Sequence, residues 1–320
     1  MTYFERYHID IAPPDDPWNS NVDPDAWKRD VELQLRKIEG TDAGKALLEN
    51  ITKSTDTSNS IAWIEIRQFN TMGKACNAHG NAIRKFKDNQ LRSYFGEVIY
   101  EPNQFHKGSY CYEKKSMGDP KNNRGKLPDE VLFHELIHAH RGLLRIKNYD
   151  EVRGALRKYT SPEEFLAVVI TNIYISDITN MNSSGLRGSH RGGAPLEPEL
   201  SDSLAFYAAS ADVFPIISKF ADEEWPLFNA LANVRARFNP LRALKENEAL
   251  VREASRSDVA KSRDLAGEKA YKTEEEKRYA QEILSRFGAM SFQRQEPQLK
   301  DLAKVVLSPL AKKALGVLKR

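Results

Sequence analysis

The chain has 320 residues, 48 Lys and Arg against 45 Asp and Glu, and a net charge of +3. That length means one large domain or two ordinary ones, and 40% apolar residues suffice for a core. So small a basic excess does not point to nucleic acid, and two cysteines, Cys76 and Cys111, cannot build a disulfide framework or a cysteine-rich metal site. A bound metal is then left to carboxylates and to only seven histidines.

Residues 1–22 are rich in Pro and Asp and read as an extended N-terminal arm. Asp23-Pro24 is a helix start, with Asp as N-cap and Pro at the first helical position, and the helix ends at Gly40. A second helix opens at Thr41. Ile61–Phe69 alternates Trp63, Glu65 and Arg67 against Ile64 and Ile66, a strand pattern. A Gly- and Asn-rich stretch from Gly73 to Asn81 follows. Phe95–Tyr100 is a second strand, stopped by Pro102. It is either a core strand or an edge strand lining a cleft and pairing with extended substrate.

From Pro128 the helical period dominates. Pro128-Asp129-Glu130 and Ser161-Pro162-Glu163-Glu164 each place Pro and two acids in a first turn, the second helix running to about Asp177. Residues 180–199 are loop-like, a helix spans about 200–218, and the chain beyond 243 is charged and helical. The tail 299–320 carries six basic residues and one acid among many apolar ones. It packs on the domain or lies on an anionic membrane surface. The expected fold is α+β, mostly helical, with a small sheet. Its expected divisions are the arm 1–22, a main domain 23–240, and a charged helical C-terminal region 241–320 packed on it.

Residues 131–141 read Val-Leu-Phe-His-Glu-Leu-Ile-His-Ala-His-Arg. His134 and His138 are four apart on a helix, so both imidazoles project from one face and can reach one zinc ion, Zn2+, at about 2.0–2.1 Å. Glu135 between them suits a general base acting on water at that metal. A carboxylate amid Phe133, Leu136 and Ile137 needs such a purpose, because burying it alone is costly. His140 lies about 200° round the helix from His138 and cannot share the same ion. With Arg141 and Leu144 where a metzincin has Gly and His, that pattern is excluded.

Such a site takes a third protein ligand and keeps one position open. Glu164 is preferred because it shares a face with Val168 and Thr171, with Glu163 orienting a histidine. Glu163, His190 and Asp177 are the alternatives. Candidate donors to the oxyanion are Tyr207, His190, Arg187 and Arg191. Cys76 and Cys111 read as ordinary reduced cysteines, and His79 and His106 have no assigned role.

The words His134-Glu-Leu-Ile-His-Ala-His-Arg141, with the later Glu163-Glu164-Phe165, resemble the gluzincin branch of zinc metallopeptidases. They are similar to clostridial neurotoxin light chains and, in scale, to bacterial effector metallopeptidases injected into other cells. The likeness covers roughly residues 95–180. It implies a zincin-like fold in which His134, His138 and Glu164 hold zinc and Glu135 is the base, with an Arg/Tyr pair at the oxyanion. It further implies a protein or peptide substrate, delivery by a specialised secretion system, and a secretion chaperone or immunity protein as a further partner. The chain's start shows no Sec-type signal and no stretch spans a membrane, so cytoplasmic synthesis is expected. Two rivals stand beside the peptidase: a zinc-stabilised binding protein without catalysis, and a zinc amidase acting on a cell-wall amide. Glu135 discriminates against the first, since a purely structural site has no use for it.

Overall fold

The computed structural model describes residues 3–12, 23–56, 63–68, 78–87, 90–106, 108–109, 127–179, 185–190 and 195–288. The tail 299–320, both cysteines and Arg191 fall outside these. The four strands are β1 (Ile9–Ile11), β2 (Ile64–Gln68), β3 (His79–Lys87) and β4 (Gln90–Tyr100). They form one mixed sheet in the order β1-β2-β4-β3. β1 runs parallel to β2 with Ile9 opposite Ile64, β2 parallel to β4 with Ile64 opposite Gly96, and β3 antiparallel to β4.

The N-terminal segment is therefore not only an extended arm. Phe4, Ile9 and Ile11 are buried, and Ile9–Ile11 supplies the outer strand beside β2. Phe95–Tyr100 is the end of a longer, interior strand, so the core-strand reading applies to it. The edge nearer the motif helix is β3, which lies partly in the Gly- and Asn-rich stretch. Its sequence, His-Gly-Asn-Ala-Ile-Arg-Lys-Phe-Lys, has only Ile83 as a β-branched residue and gives a weak strand signal.

The helices before the site start as the sequence indicates. The side chain of Asp23 accepts from Asp25 N at the head of α1 (Pro24–Glu39), and Thr41 Oγ1 accepts from Gly44 N at the head of α2 (Asp42–Asp56). The motif helix is α3 (Pro128–Leu144), where Glu130 reaches back to accept from Leu127 N. Next comes α4 (Pro162–Thr179). It is apolar on nearly every side and runs through the core, as such a composition requires. The expected helix over 200–218 is broken into α5 (Ser203–Tyr207) and α6 (Val213–Glu223). Four more follow: α7 (Trp225–Asn233), α8 (Pro240–Glu246), α9 (Glu248–Ser255) and α10 (Asp258–Gly288). Among the described residues no helix is long and apolar enough to cross a membrane.

The long α10 is tied back to the chain between α3 and α4. Asp264 accepts from Ala155 N and Ala211 N, and Glu268 accepts from Gly154 N at 2.9 Å. Gly154 has φ +54, and a Cβ on Gly267 would lie 2.5 Å from its backbone, so two glycines let the segments touch.

One seam sets the position of α3. Gly80, Ala82 and Gly96 of the sheet face Glu135, Ala139 and Gly142 of the helix, which recur at helical spacing on one side. Tyr94 Oη donates to Gly142 O at 2.6 Å and pins the same contact. A Cβ on Gly80 would stand 2.0 Å from the backbone oxygen of Glu135, too close for any side chain. Gly80→Ala should therefore cost about 1–3 kcal/mol by overpacking, read as a lower urea midpoint with an unchanged m-value. An unchanged midpoint would show that the seam is loose.

Candidate metal centre

The i, i+4 spacing on α3 places His134 and His138 side by side, with ring centroids 4.8 Å apart. α4 packs against that face and brings Glu164 to them. His134 Nε2 and His138 Nε2 are 3.2 Å apart, and Glu164 Oε2 lies 3.4 Å and 3.3 Å from them respectively. These three residues form a cluster able to hold a metal ion. Both histidines are buried, and Glu164 is about one-fifth exposed.

The other nitrogen of each ring is occupied. His134 Nδ1 lies 3.2 Å from Thr171 Oγ1, whose hydroxyl donates to Ala167 O and so accepts from the ring. His138 Nδ1 donates to Glu163 Oε1 at 3.1 Å. When both rings are neutral, these contacts place the proton on Nδ1 and leave the two Nε2 lone pairs on the side of Glu164. Thr171 stands two turns along α4 from Glu164, the inward face the sequence suggests.

Glu163 belongs to a second, fully buried network. Its Oε2 accepts from Arg141 Nε at 3.0 Å. Arg141 Nη1 donates to Glu224 Oε2 at 2.8 Å, its Nη2 to Ile146 O, and its guanidinium lies over the Phe220 ring. His140 Nε2 is 2.7 Å from Glu224 Oε1. Thus His140 and Arg141, with no assigned role in the sequence reading, join the motif helix to the head of α7.

The charges respond to these partners. Burial holds His134 down to about 3, so it is neutral. Burial opposes charge on His138 too, but Glu163 and Glu164 outweigh it and lift the group to about 9. Burial raises Glu163 and Glu164, yet His138 and Arg141 for the first, and both histidines for the second, hold each below the usual carboxylate range. Glu135 is pushed up by burial, against the nearby His138 and a hydrogen bond from the Gly80 backbone N–H.

The remaining candidates divide. His190 is brought to the cluster: its Nε2 is 3.3 Å from Glu164 Oε2, and its ring lies parallel to that of His134 with centroids 6.1 Å apart. The segment carrying it is held because Asn172 bonds both the N–H and the C=O of Arg187, and His190 N donates to Lys158 O. Arg187 sits within the fields of Glu164, Glu135 and Glu130. Tyr207 is not brought there. It is wholly buried and its hydroxyl donates to Pro240 O at 3.0 Å, which makes it a core aromatic and withdraws it as a donor to the oxyanion. Asp177 is also elsewhere, its Oδ2 accepting from Ala43 N at the start of α2.

Beyond α3, sequence reasoning overlooked residues 145–150. Arg145 ends the helix with φ 60, and Lys147 Nζ then donates to Gly80 O at 2.9 Å. Asn148 O accepts from Glu163 N at 2.9 Å. No pattern in Arg-Ile-Lys-Asn-Tyr-Asp announces this, because the contacts are mostly to backbone.

Residues 18–170 match the Peptidase M91 family model, described as effector protein. The M91 match spans His134, Glu135, His138, Glu163 and Glu164, and it ends inside α4. It supports a peptidase and an effector, and it does not bear on the gluzincin or neurotoxin likeness. No curated protein and no solved structure matches the chain.

Removing Glu163 would leave Arg141 buried with half its partners. Glu163→Ala should cost about 3–5 kcal/mol, read by denaturant titration. The folded chain holds Glu163 below its unfolded value, so unfolded molecules bind the proton first. The stabilisation is present above the ordinary carboxylate range and is lost as pH falls through it. Melting temperature should drop on acidification, and Glu163→Gln should flatten that acid limb.

Proposed function

We propose that the protein is a zinc-dependent endopeptidase of the effector type, hydrolysing a peptide bond in a protein of another cell. The observation that carries this is the triangle of His134 Nε2, His138 Nε2 and Glu164 Oε2, with edges of 3.2, 3.3 and 3.4 Å. A tetrahedral ion bonded at about 2.0–2.1 Å has edges of about 3.3–3.4 Å, so these donors suit zinc without rearrangement. Two neutral imidazoles and one carboxylate are also a known catalytic set, which leaves a position open. Thr171 and Glu163 would hold the two rings in the ligating tautomer. The fourth nearby donor is His190, either the neighbour of the open position or its occupant at rest.

Zinc held there supplies Lewis acidity to the scissile carbonyl and lowers the pKa of water. Glu135 is the residue that takes the proton of the attacking water and returns it to the departing amine. Its partial desolvation suits that task, since a raised carboxylate is a stronger base. Gly80 N–H holds one side of the Glu135 carboxylate, which fixes it beside the ligands. The match to effector proteins supports delivery out of the producing cell, and a protein substrate follows from the peptidase family.

Two variants test the reading. Glu135→Gln should retain one zinc by elemental analysis while losing about 10²–10⁴-fold in turnover, followed as new peptide termini in host and bacterial lysates. Full activity in that variant would remove Glu135 as base. Glu164→Ala should weaken metal binding by more than the roughly 10–100-fold typical of an outer-shell change. Unchanged zinc stoichiometry would move the third ligand to Glu163 or His190.

A further inference from the structure

Lys147 is hydrogen-bonded to the same strand residue as Glu135, yet the proposed chemistry leaves its charge unused. Resting on the peptidase reading, we propose that Lys147 receives an acidic side chain of the substrate, so that the site selects Asp or Glu close to the scissile bond.

The backbone of β3 sets where the ammonium stands. Gly80 lies against α3, where a Cβ on it would stand 2.0 Å from the backbone oxygen of Glu135. The Gly80 N–H donates to the Glu135 carboxylate, and the Gly80 carbonyl accepts from Lys147 Nζ at 2.9 Å. The N–H and C=O of one strand residue point to the same side. Glu135 and Lys147 therefore share one side of β3, at the free edge of the sheet. The N and O of a single residue are less than about 4 Å apart, which keeps Nζ within about 10 Å of the carboxylate. An extended chain advances about 3.3 Å per residue, so an acidic side chain within about three residues of the cleaved bond can reach it.

The ammonium is both held and uncommitted. Its stem crosses Gly142, where a Cβ would meet Cε at 3.2 Å. The Tyr149 ring flanks it, with Nζ 5.7 Å from the centroid. One of its three N–H donors goes to Gly80 O, and Lys147 forms no ion pair among the described residues. Arg141, also beside the cluster, is by contrast paired with both Glu163 and Glu224. Burial draws Lys147 below the ordinary lysine value, against the pull of Glu163, Glu135 and Glu164, so the group has lost water without gaining a counter-ion.

The neighbouring carboxylates have their own partners. Glu163 serves His138 and Arg141, Glu164 faces the two histidines, and Glu135 is held by Gly80. A substrate carboxylate would supply the missing charge. Because the lysine is already anchored, little side-chain freedom is lost on binding. A Lys or Arg at the same substrate position would be repelled.

The test uses the zinc-loaded full chain as wild type, Lys147→Gln, Lys147→Arg and Lys147→Glu. Gln keeps a donor for Gly80 O without the charge, and Arg keeps both. A peptide library with cleavage read by mass spectrometry gives the residues around the cut. The ratio of kcat/KM for an acidic peptide over its Asn or Gln counterpart should be about tenfold in wild type and in Lys147→Arg. It should fall to about one in Lys147→Gln, and Lys147→Glu should favour Lys or Arg instead. A purely structural lysine would lower both peptides alike, so an intact ratio in Lys147→Gln overturns the proposal, as does a wild type indifferent to acids. A second readout needs no turnover. A random peptide library retained on immobilised zinc-loaded Glu135→Gln should be enriched in Asp and Glu, and adding Lys147→Gln should remove that enrichment. Equal enrichment in the two chains assigns the acid to another cation, such as Arg187, and overturns the role of Lys147. If Glu135→Gln cleaves as fast as wild type, the peptidase site itself has been misread, and the retention comparison still decides on Lys147.

Discussion

Glu163 carries two obligations at once, and most of the architecture around the metal cluster follows from them. One oxygen accepts from His138 and the other from Arg141, with the side chain wholly out of water. A carboxylate in that position is tolerable only if both partners stay in place. Arg141 in turn needs Glu224, so the start of α7 is drawn to the motif helix. The orientation of one imidazole is thereby made a property of the packing of three helices. On the proposed reading, ligand geometry and global stability share the same bonds, which is how a site becomes preorganised.

The opposite face of α3 obeys a steric rule instead. Gly80, Gly96 and Gly142 remove the side chains that would hold helix and sheet apart. The backbone of β3 can then reach the carboxylate of Glu135 with its own N–H. The result is a helix with a polar, hydrogen-bonded face toward α4 and a nearly bare face toward the sheet, each fixed by a different kind of force. Neither face is amphipathic in the usual sense, which fits a helix buried over most of its length.

Much of this was legible in the residues. His-Glu-x-x-His on a Pro-started helix announces the cluster, and paired acids one helix later announce its third member. The division of labour between Glu163 and Glu164 could be preferred from the face shared with Thr171. What stayed hidden depends on contacts distant in sequence. β3 has poor strand propensity because its residues answer to the neighbouring helix, which demands Gly80 and Ala82. The fate of Tyr207 turns on Pro240, a partner no local pattern connects to it. The role of Arg141 depends on Glu224, far along the chain. Residues 145–150 have no motif, since they are held by backbone oxygens that every residue possesses.

The edge formed by β3 has a further property. A sheet edge with unused backbone groups invites pairing with another chain, and soluble proteins blunt such edges. Here the N–H of Gly80 is taken by Glu135, its carbonyl by Lys147, and the N–H of Ala82 by the side chain of Asn81. At Gly80, beside the cluster, both backbone groups are already taken. The groups beside the metal cluster thus also occupy this edge, and a substitution at Lys147 would free the carbonyl of Gly80 on it.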